Sequence, residues 1–393
     1  MSTNRLVGHL ARRGVEHVYK RATTQDDAVN AWENEDFEWP PFGTVLISAT
    51  GIIFLMIMVA ISYTLEHVIT NLTMIETPTV EVAIENVNSS LDEPDAPLEK
   101  QGLLDDVEKE HSSVTLIPQR PITSKIRTTL RHLTSQAGYL SRFRGFSAFI
   151  FFALGASTIE GLVQTFLSFL PLGNIIASVV AFICMARIHM AWTHITISMP
   201  SDKPWYRRIP PMSSFRHVWV PAAIYAASYN ASVYIIGGSA YFFGCHNVDY
   251  QDIYNDYEHS KGALVFLNWL AFVLISISTY FFIVLPAHTT YIRVEASLLP
   301  ESEDPIVPFD RSFGGKVVPA VAGGTGAVGF IEAWRSFKWE ARRRLIKLDV
   351  KIFFIAMAIT FIFVHIILFE FWAIMGDSLG AFVSQLDMQN MGL

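Results

Sequence analysis

Six apolar runs, each long enough to cross a bilayer, divide this chain and leave it few folds to choose from. They are Gly43–Leu65, Phe146–Leu170, Ile175–Met199, Val218–Phe243, Ala263–Leu285 and Ile352–Ile374. A helix of ~20 residues rising 1.5 Å per residue covers the ~30 Å of a hydrocarbon core. A water-soluble helix of that length would show a polar face, and these runs show almost none. The expected fold class is all-α: a polytopic transmembrane helix bundle of about six spans, with interfacial amphipathic helices. Of 393 residues 51% are hydrophobic and 17% charged, which fits such a bundle with modest soluble segments. No basic soluble domain exists to carry nucleic-acid binding. The first run starts too late and is too long for a signal-peptide core, so no cleavable leader is expected. The two cysteines, Cys184 and Cys245, make no disulfide framework, and Cys184 reads as a buried inert thiol in mid-membrane.

Lys and Arg accumulate in cytosolic loops, and this rule orients five of the six spans consistently. Lys203, Arg207, Arg208 and Arg216 fall in loop 200–217, and ten basic residues fall in 286–351. Lys125, Arg127, Arg131, Arg142 and Arg144 precede the second span. The connections opposite are the uncharged Pro171–Asn174 and the acidic Cys245–Lys261. The first span has no nearby Lys or Arg. A cytosolic 66–144 segment would place the N-terminus outside, whereas the sequons at Asn71 and Asn88 would be used only if that segment were lumenal.

The chain then reads as a polar tail (1–42), a first span (43–65), an acidic insert (66–123), a basic amphipathic helix (124–144), spans two to five (145–285), a cytosolic loop (286–351), a sixth span (352–375) and a C-terminal tail (376–393). Glu76–Glu110 holds eleven acidic residues against Lys100 and Lys109 and is punctuated by Pro94 and Pro97, so the insert is expected to be disordered. It is a solvated linker or a protein-binding tail. Apolar stripes at Ile126, Leu130, Leu133, Ala137, Leu140 and Phe143, and at Trp334, Phe337, Ala341, Leu345 and Leu348, have helical spacing among basic residues. Both read as interfacial helices on anionic lipid or as extensions packed on their neighbours. The segments His189–Pro200 and His288–Pro300 echo one another: each leaves a span carrying a histidine and ends at a proline.

Ionisable groups inside a membrane are the first candidates for function. Glu160 in the second span and Arg187 in the third lie about 15 and 20 Å from the connecting turn, by helical rise. They read as an ion pair locking the hairpin or as a binding pair. Gln164 shares the Glu160 face, and Ala153, Ser157 and Gly161 form a small-residue stripe for helix packing. The fourth span is the most polar and contains Asn230 among Tyr225, Ser228, Tyr229, Ser232 and Tyr234. His365 and Glu370 add titratable groups to the last span. His189 and His194 lie about 140° apart on a helix, so no facing metal pair is expected, and no metal or cofactor is expected elsewhere. Gly324, Gly326 and Gly329 match G-x-G-x-x-G without the strand and helix that dinucleotide binding needs. No catalytic constellation is present.

The run Ala296-Ser-Leu-Leu-Pro, continuing through Ile306-Val-Pro-Phe-Asp-Arg-Ser-Phe-Gly-Gly-Lys-Val-Val-Pro319, resembles one found in a family of filamentous-fungal multi-pass membrane proteins. Ala333-Trp-Arg-Ser-Phe and Lys351-Ile-Phe-Phe-Ile fit the same family, and the resemblance covers roughly residues 145–375. It implies a fungal membrane protein and supplies no established activity. The leading functional expectation is movement of a small solute or ion across an endomembrane or the plasma membrane, along Glu160, Gln164, Arg187, Asn230 and His365. The alternative is a non-catalytic membrane scaffold or accessory protein, of the kind that serves a biosynthetic pathway, with a membrane-embedded enzyme third. The expected partners are the bilayer, anionic lipids at the basic helices and a protein at the acidic insert.

Overall fold

Apolar runs without water to bond their amides close their hydrogen bonds internally, and helix does this within one segment. The computed structural model describes residues 41–77, 80–85, 113–118, 120–245, 259–318 and 322–375. The elements are α1 (Pro41–Ser62), a π-helical turn (Tyr63–Ile69), α2 (Thr70–Ile75), β1 (Val80–Glu85), β2 (Ser113–Pro118), α3 (Ile126–Ala137), α4 (Phe146–Leu167), α5 (Gly173–Ile197), α6 (Met212–Phe242), α7 (His259–Thr279), a second π turn (Tyr280–Val284), α8 (Leu285–Ser297), α9 (Phe330–Arg335) and α10 (Trp339–Met375). The fold class is all-α, with one two-stranded antiparallel ribbon as the exception.

Among the described residues, five helical stretches are long and apolar enough to span: Phe42–Ile75, Tyr139–Leu167, Gly173–Ile197, Gly262–Ser297 and Trp339–Ile374. The protein is therefore an integral multi-pass membrane protein. The fourth expected span exists as the 31-residue α6, but its tyrosines, serines and Asn230 dilute its apolar character below that of the others. Apolar side chains such as Ile52, Met56, Leu162, Phe166, Leu267 and Phe361 face away from the protein. Such surface is stable only against lipid.

Several expected boundaries move. The first span does not end at Leu65: helix continues through the π turn to Ile75, because Val68, Ile69, Leu72, Met74 and Ile75 are apolar and fully buried by the protein. The insert expected at 66–123 loses its beginning to this helix, and β1 pairs with β2 from Val80 opposite Pro118 to Glu85 opposite Ser113. The remainder, 86–112, lies outside the described residues, as do the tails 1–40 and 376–393. The fifth span likewise runs on to Ser297. Its π turn widens the helix just before Pro286, whose ring would otherwise meet the carbonyl one turn back. The basic stretch before the sixth span is no separate interfacial helix, since α10 is continuous over 37 residues. Its stripe packs on protein: Phe337, Ala341, Leu345 and Leu348 are all buried. In α3 only Thr129 and Leu133 are buried, while Leu140, beyond its end, is exposed.

The chain forms two compact units, 1–59 with 354–393 and 60–353. In the first, α1 and α10 run antiparallel: Phe54 stacks on Phe363 with centroids 3.8 Å apart, and Thr50 Oγ1 donates to Glu370 at 2.6 Å. In the second, α4 and α5 form a hairpin with α6 on the other side of α5. Gly173 closes the hairpin turn, where a Cβ would sit 2.3 Å from the Leu167 carbonyl oxygen. The face of α4 that packs is Ala148, Phe152 and Ala156, with Gly155 admitting Met185. It is not the expected Ala153, Ser157, Gly161 stripe, of which Ser157 and Gly161 are exposed. One face of α5 joins a core containing Tyr63, Leu72, Leu133, Phe152 and Trp192. The other packs Ala186 and Met190 on Val218, Ala222 and Tyr291. Cys184, expected to be buried, is exposed on α5.

Candidate functional site

The buried charge of the second unit gathers where α2, α5 and α8 meet. On α5, His189 and Thr193 are one turn apart and therefore share a face. Opposite them on α8, Glu295 is completely buried. His189 Nδ1 lies 2.8 Å from Glu295 Oε1 and 3.0 Å from Oε2, and Thr193 Oγ1 donates to Oε2 at 2.5 Å. His194, on a different face, donates Nε2–H to the Glu295 main-chain carbonyl at 2.8 Å. Two histidines that cannot meet across a metal thus grip one residue, by its side chain and by its backbone. Among the described residues no three His, Cys, Asp or Glu side chains gather as a metal site.

A ladder of rings extends the cluster. His189 stacks on Tyr291 at 4.5 Å, Tyr291 on Tyr225 at 5.7 Å, and Tyr225 on His288 at 4.9 Å. Trp192 meets His189 and His67 edge-on, each at 5.0 Å, and its Nε1–H donates to the Tyr63 hydroxyl at 3.1 Å. Tyr63 in turn donates to the Arg144 carbonyl, and the Arg144 guanidinium donates to the Ser198 carbonyl. Gly145, at φ +73°, makes the turn into α4 against Trp192.

Arginines close the surrounding helix ends. Arg293 is 6% exposed and donates to the Ala333 and Met74 carbonyls at 2.9 Å each and to Ser336 Oγ at 3.0 Å. Its guanidinium also lies 4.9 Å from the Phe313 ring centre and 5.1 Å from that of Phe337. Arg208 bonds Ser198 Oγ and pairs with Glu303, and Arg311 bonds the Leu299, Pro300 and Glu303 carbonyls. Arg342 bonds the Trp334 and Phe337 carbonyls. Glu76, expected in the disordered insert, is 3% exposed and accepts from the Ile122 and Thr123 amides and the Thr123 hydroxyl. Arg344 completes that clasp by donating to the Glu76 carbonyl at 3.1 Å.

The loop 298–318 is part of this clamp. Asp310 accepts from Ser312 N at 2.9 Å, Ser312 Oγ at 2.5 Å and Gly314 N at 2.8 Å, and this turn holds Phe313 at φ +51° under Arg293. Burial works to raise the Asp310 pKa, but the Ser312 and Gly314 hydrogen bonds and the Arg293 charge outweigh it, so the carboxyl sits below the usual aspartate value. Gly324, Gly326 and Gly329 lie in irregular chain before α9, and no strand precedes them among the described residues of this loop.

The residues expected to line a path are not brought together. Arg187 is not paired with Glu160: its Nε and Nη2 donate to the Pro210 carbonyl at 3.0 and 2.7 Å. That carbonyl sits outside any helix, before the proline that precedes α6, and is free to accept both. Asn230 donates to Ala226 O on its own helix, and His365 Nδ1 bonds Phe361 O within α10. Glu160 and Gln164 share a half-buried face of α4, where Gln164 Oε1 has no partner. No hydrogen bond or ion pair joins any two of these residues. Asn71, a candidate glycosylation site, is 1% exposed in α2 and has no room for a glycan in the folded protein. Asn88 lies outside the described residues.

Sequence reasoning missed Glu295, Thr193, Arg293 and Glu76. The signal available was the echo of His189–Pro200 and His288–Pro300. These segments meet at Glu295, which His189, Thr193 and His194 all bond, and just past the second of them Met199 N donates to Asp304 O at 2.7 Å and Ile306 N to Ile197 O at 2.8 Å. No family model, curated protein or solved structure matches this chain.

Proposed function

We propose that this protein is a non-catalytic membrane scaffold or accessory protein, which holds a rigid folded base at the basic, cytosolic ends of its spans. The observation behind the reading is how its buried charges are used. Glu295, His189, Arg293 and Glu76 are each bound to a different helix or loop, and Arg144, Arg187, Arg311, Arg342 and Arg344 donate to main-chain carbonyls. Charges used this way fix helix ends and raise the barrier to rearrangement. Solute or ion movement finds less support, because Arg187, Asn230 and His365 are committed to backbone carbonyls. Exposed basic residues such as Arg127, Arg131, Arg207 and Lys347 favour contact with an anionic leaflet of an endomembrane or the plasma membrane.

Replacing His189 and Glu295 together with leucines tests this reading. Such a swap removes both polar side chains together and leaves an apolar filling, which a structural pair tolerates. A scaffold expects the double variant to accumulate in membranes and to substitute for the wild type in a deletion strain. Normal accumulation with complete loss of function would contradict it.

A further inference from the structure

The N-terminal part of α10 and the start of α3 line an open-sided cavity of about 350 Å³. Arg343, Arg344, Lys347 and Lys351 form one wall, and Ser124 and Ile126 form the other. Glu340 is the single carboxylate among the lining residues, so cations are in excess. Arg344 is held on its inner side by Glu76, at 3.5 Å, and its buried Nε has no partner. Arg343, Lys347 and Lys351 are exposed, and among the described residues they make no hydrogen bond or ion pair. The base described above therefore does not need their charges. The opposite wall brings the start of α3 to the cations through Ser124 and Ile126, and that start has no side-chain cap.

The depth of the cavity selects the ligand. Lys351 immediately precedes Ile352, where the apolar run of the last span begins. The cavity therefore opens where lipid headgroups lie. From Arg343 to Lys351 the helix rises about 12 Å, longer than a single phosphodiester can occupy. A cavity of this size matches the range for small-molecule sites. Basic pockets beside spans suit headgroups with several phosphates better than diffuse anionic charge does.

We propose that this cavity binds a lipid headgroup bearing two or more phosphomonoesters on a sugar-sized ring, of the phosphoinositide type. The proposal rests on the membrane-surface part of the reading above, but not on the scaffold role. The phosphates sit against Arg343, Lys347 and Lys351, with Arg344 and the start of α3 at the inner end.

The test uses the full chain in phosphatidylcholine nanodiscs, titrated with short-chain phosphatidylinositol bisphosphate. Short-chain phosphatidylserine, inositol trisphosphate and inorganic phosphate are run beside it. The triple variant Arg343→Gln/Lys347→Gln/Lys351→Gln is compared with Arg131→Gln/Lys203→Gln/Arg207→Gln, which removes equal charge elsewhere. The expected result is saturable bisphosphate binding weakened at least tenfold by the first triple and under twofold by the second. Equal losses in both, or equal affinity for phosphatidylserine, would overturn the pocket and leave only the membrane-surface reading. No binding to any anionic lipid by folded protein would sink both. Inositol trisphosphate binding as tight as the lipid would overturn a lipid source in favour of a soluble polyphosphate.

Discussion

Replacing Glu295 with alanine would leave His189 and Thr193 facing a gap with no acceptor for either. Glu295 is fully buried, and His189 and Thr193 are 3% and 0% exposed, so bulk water does not reach them. Stranding the partners of a buried polar group costs up to about 3–5 kcal/mol, the upper range being that of a broken buried ion pair. At about 2–4 °C per kcal/mol for a unit of this size, the apparent Tm should fall by on the order of 10 °C. Tryptophan emission during thermal unfolding in detergent reads this out, because the Trp192 ring lies 5.0 Å from His189. Glu295→Gln should cost less, since the amide keeps an acceptor for Thr193. The His189→Leu/Glu295→Leu double variant should recover much of the loss, because it strands no polar group. The reasoning fails if Glu295→Ala unfolds within ~2 °C of the wild type, or if the double variant is no more stable than the single.

Three further outcomes follow from the same geometry. Gly145→Ala should destabilise by about 1–3 kcal/mol, because φ is +73° and the new Cβ would lie 2.9 Å from Trp192 Cδ1, as detergent unfolding would show. Arg293→Lys should lower stability by about 2–4 kcal/mol despite keeping the charge, since an ammonium cannot reach three acceptors on two segments; an unchanged Tm would refute it. The Asp310 pKa is lowered by folding, so its contribution to stability is complete above the ordinary aspartate pKa and is lost as pH falls through the lower folded value. Asp310→Asn should therefore flatten the acid limb of a stability-against-pH profile and leave the neutral limb offset but parallel.

The spans were legible because their signal is local: twenty apolar residues in a row need no tertiary information. The ends were not, and for one reason. Val68–Ile75 falls at the head of the expected acidic insert and Trp334–Leu348 has the pattern of an interfacial helix, but both pack on protein, and coverage depends on what the chain brings back to them. Glu76 opens an acidic stretch with the composition of disorder, yet the amides of Ile122 and Thr123, more than forty residues on, make it a buried clasp. Periodicity placed Glu160 and Arg187 at compatible depths, but depth says nothing of azimuth or of a nearer acceptor, and the Pro210 carbonyl took the guanidinium. The histidine echo reads only as a repeat of two span exits and carries no expectation that they touch. It could not show that their contact runs through Glu295, because no spacing rule links a histidine on one helix to a carboxylate on another.

The most direct test of whether the buried charges serve structure rather than passage is flux through the purified protein. Reconstituted vesicles with pH- and potential-sensitive dyes should dissipate imposed gradients at the rate of protein-free vesicles, for wild type and Glu295→Gln alike. A protein-dependent flux that Glu295→Gln abolishes, with the variant still folded, would contradict the account.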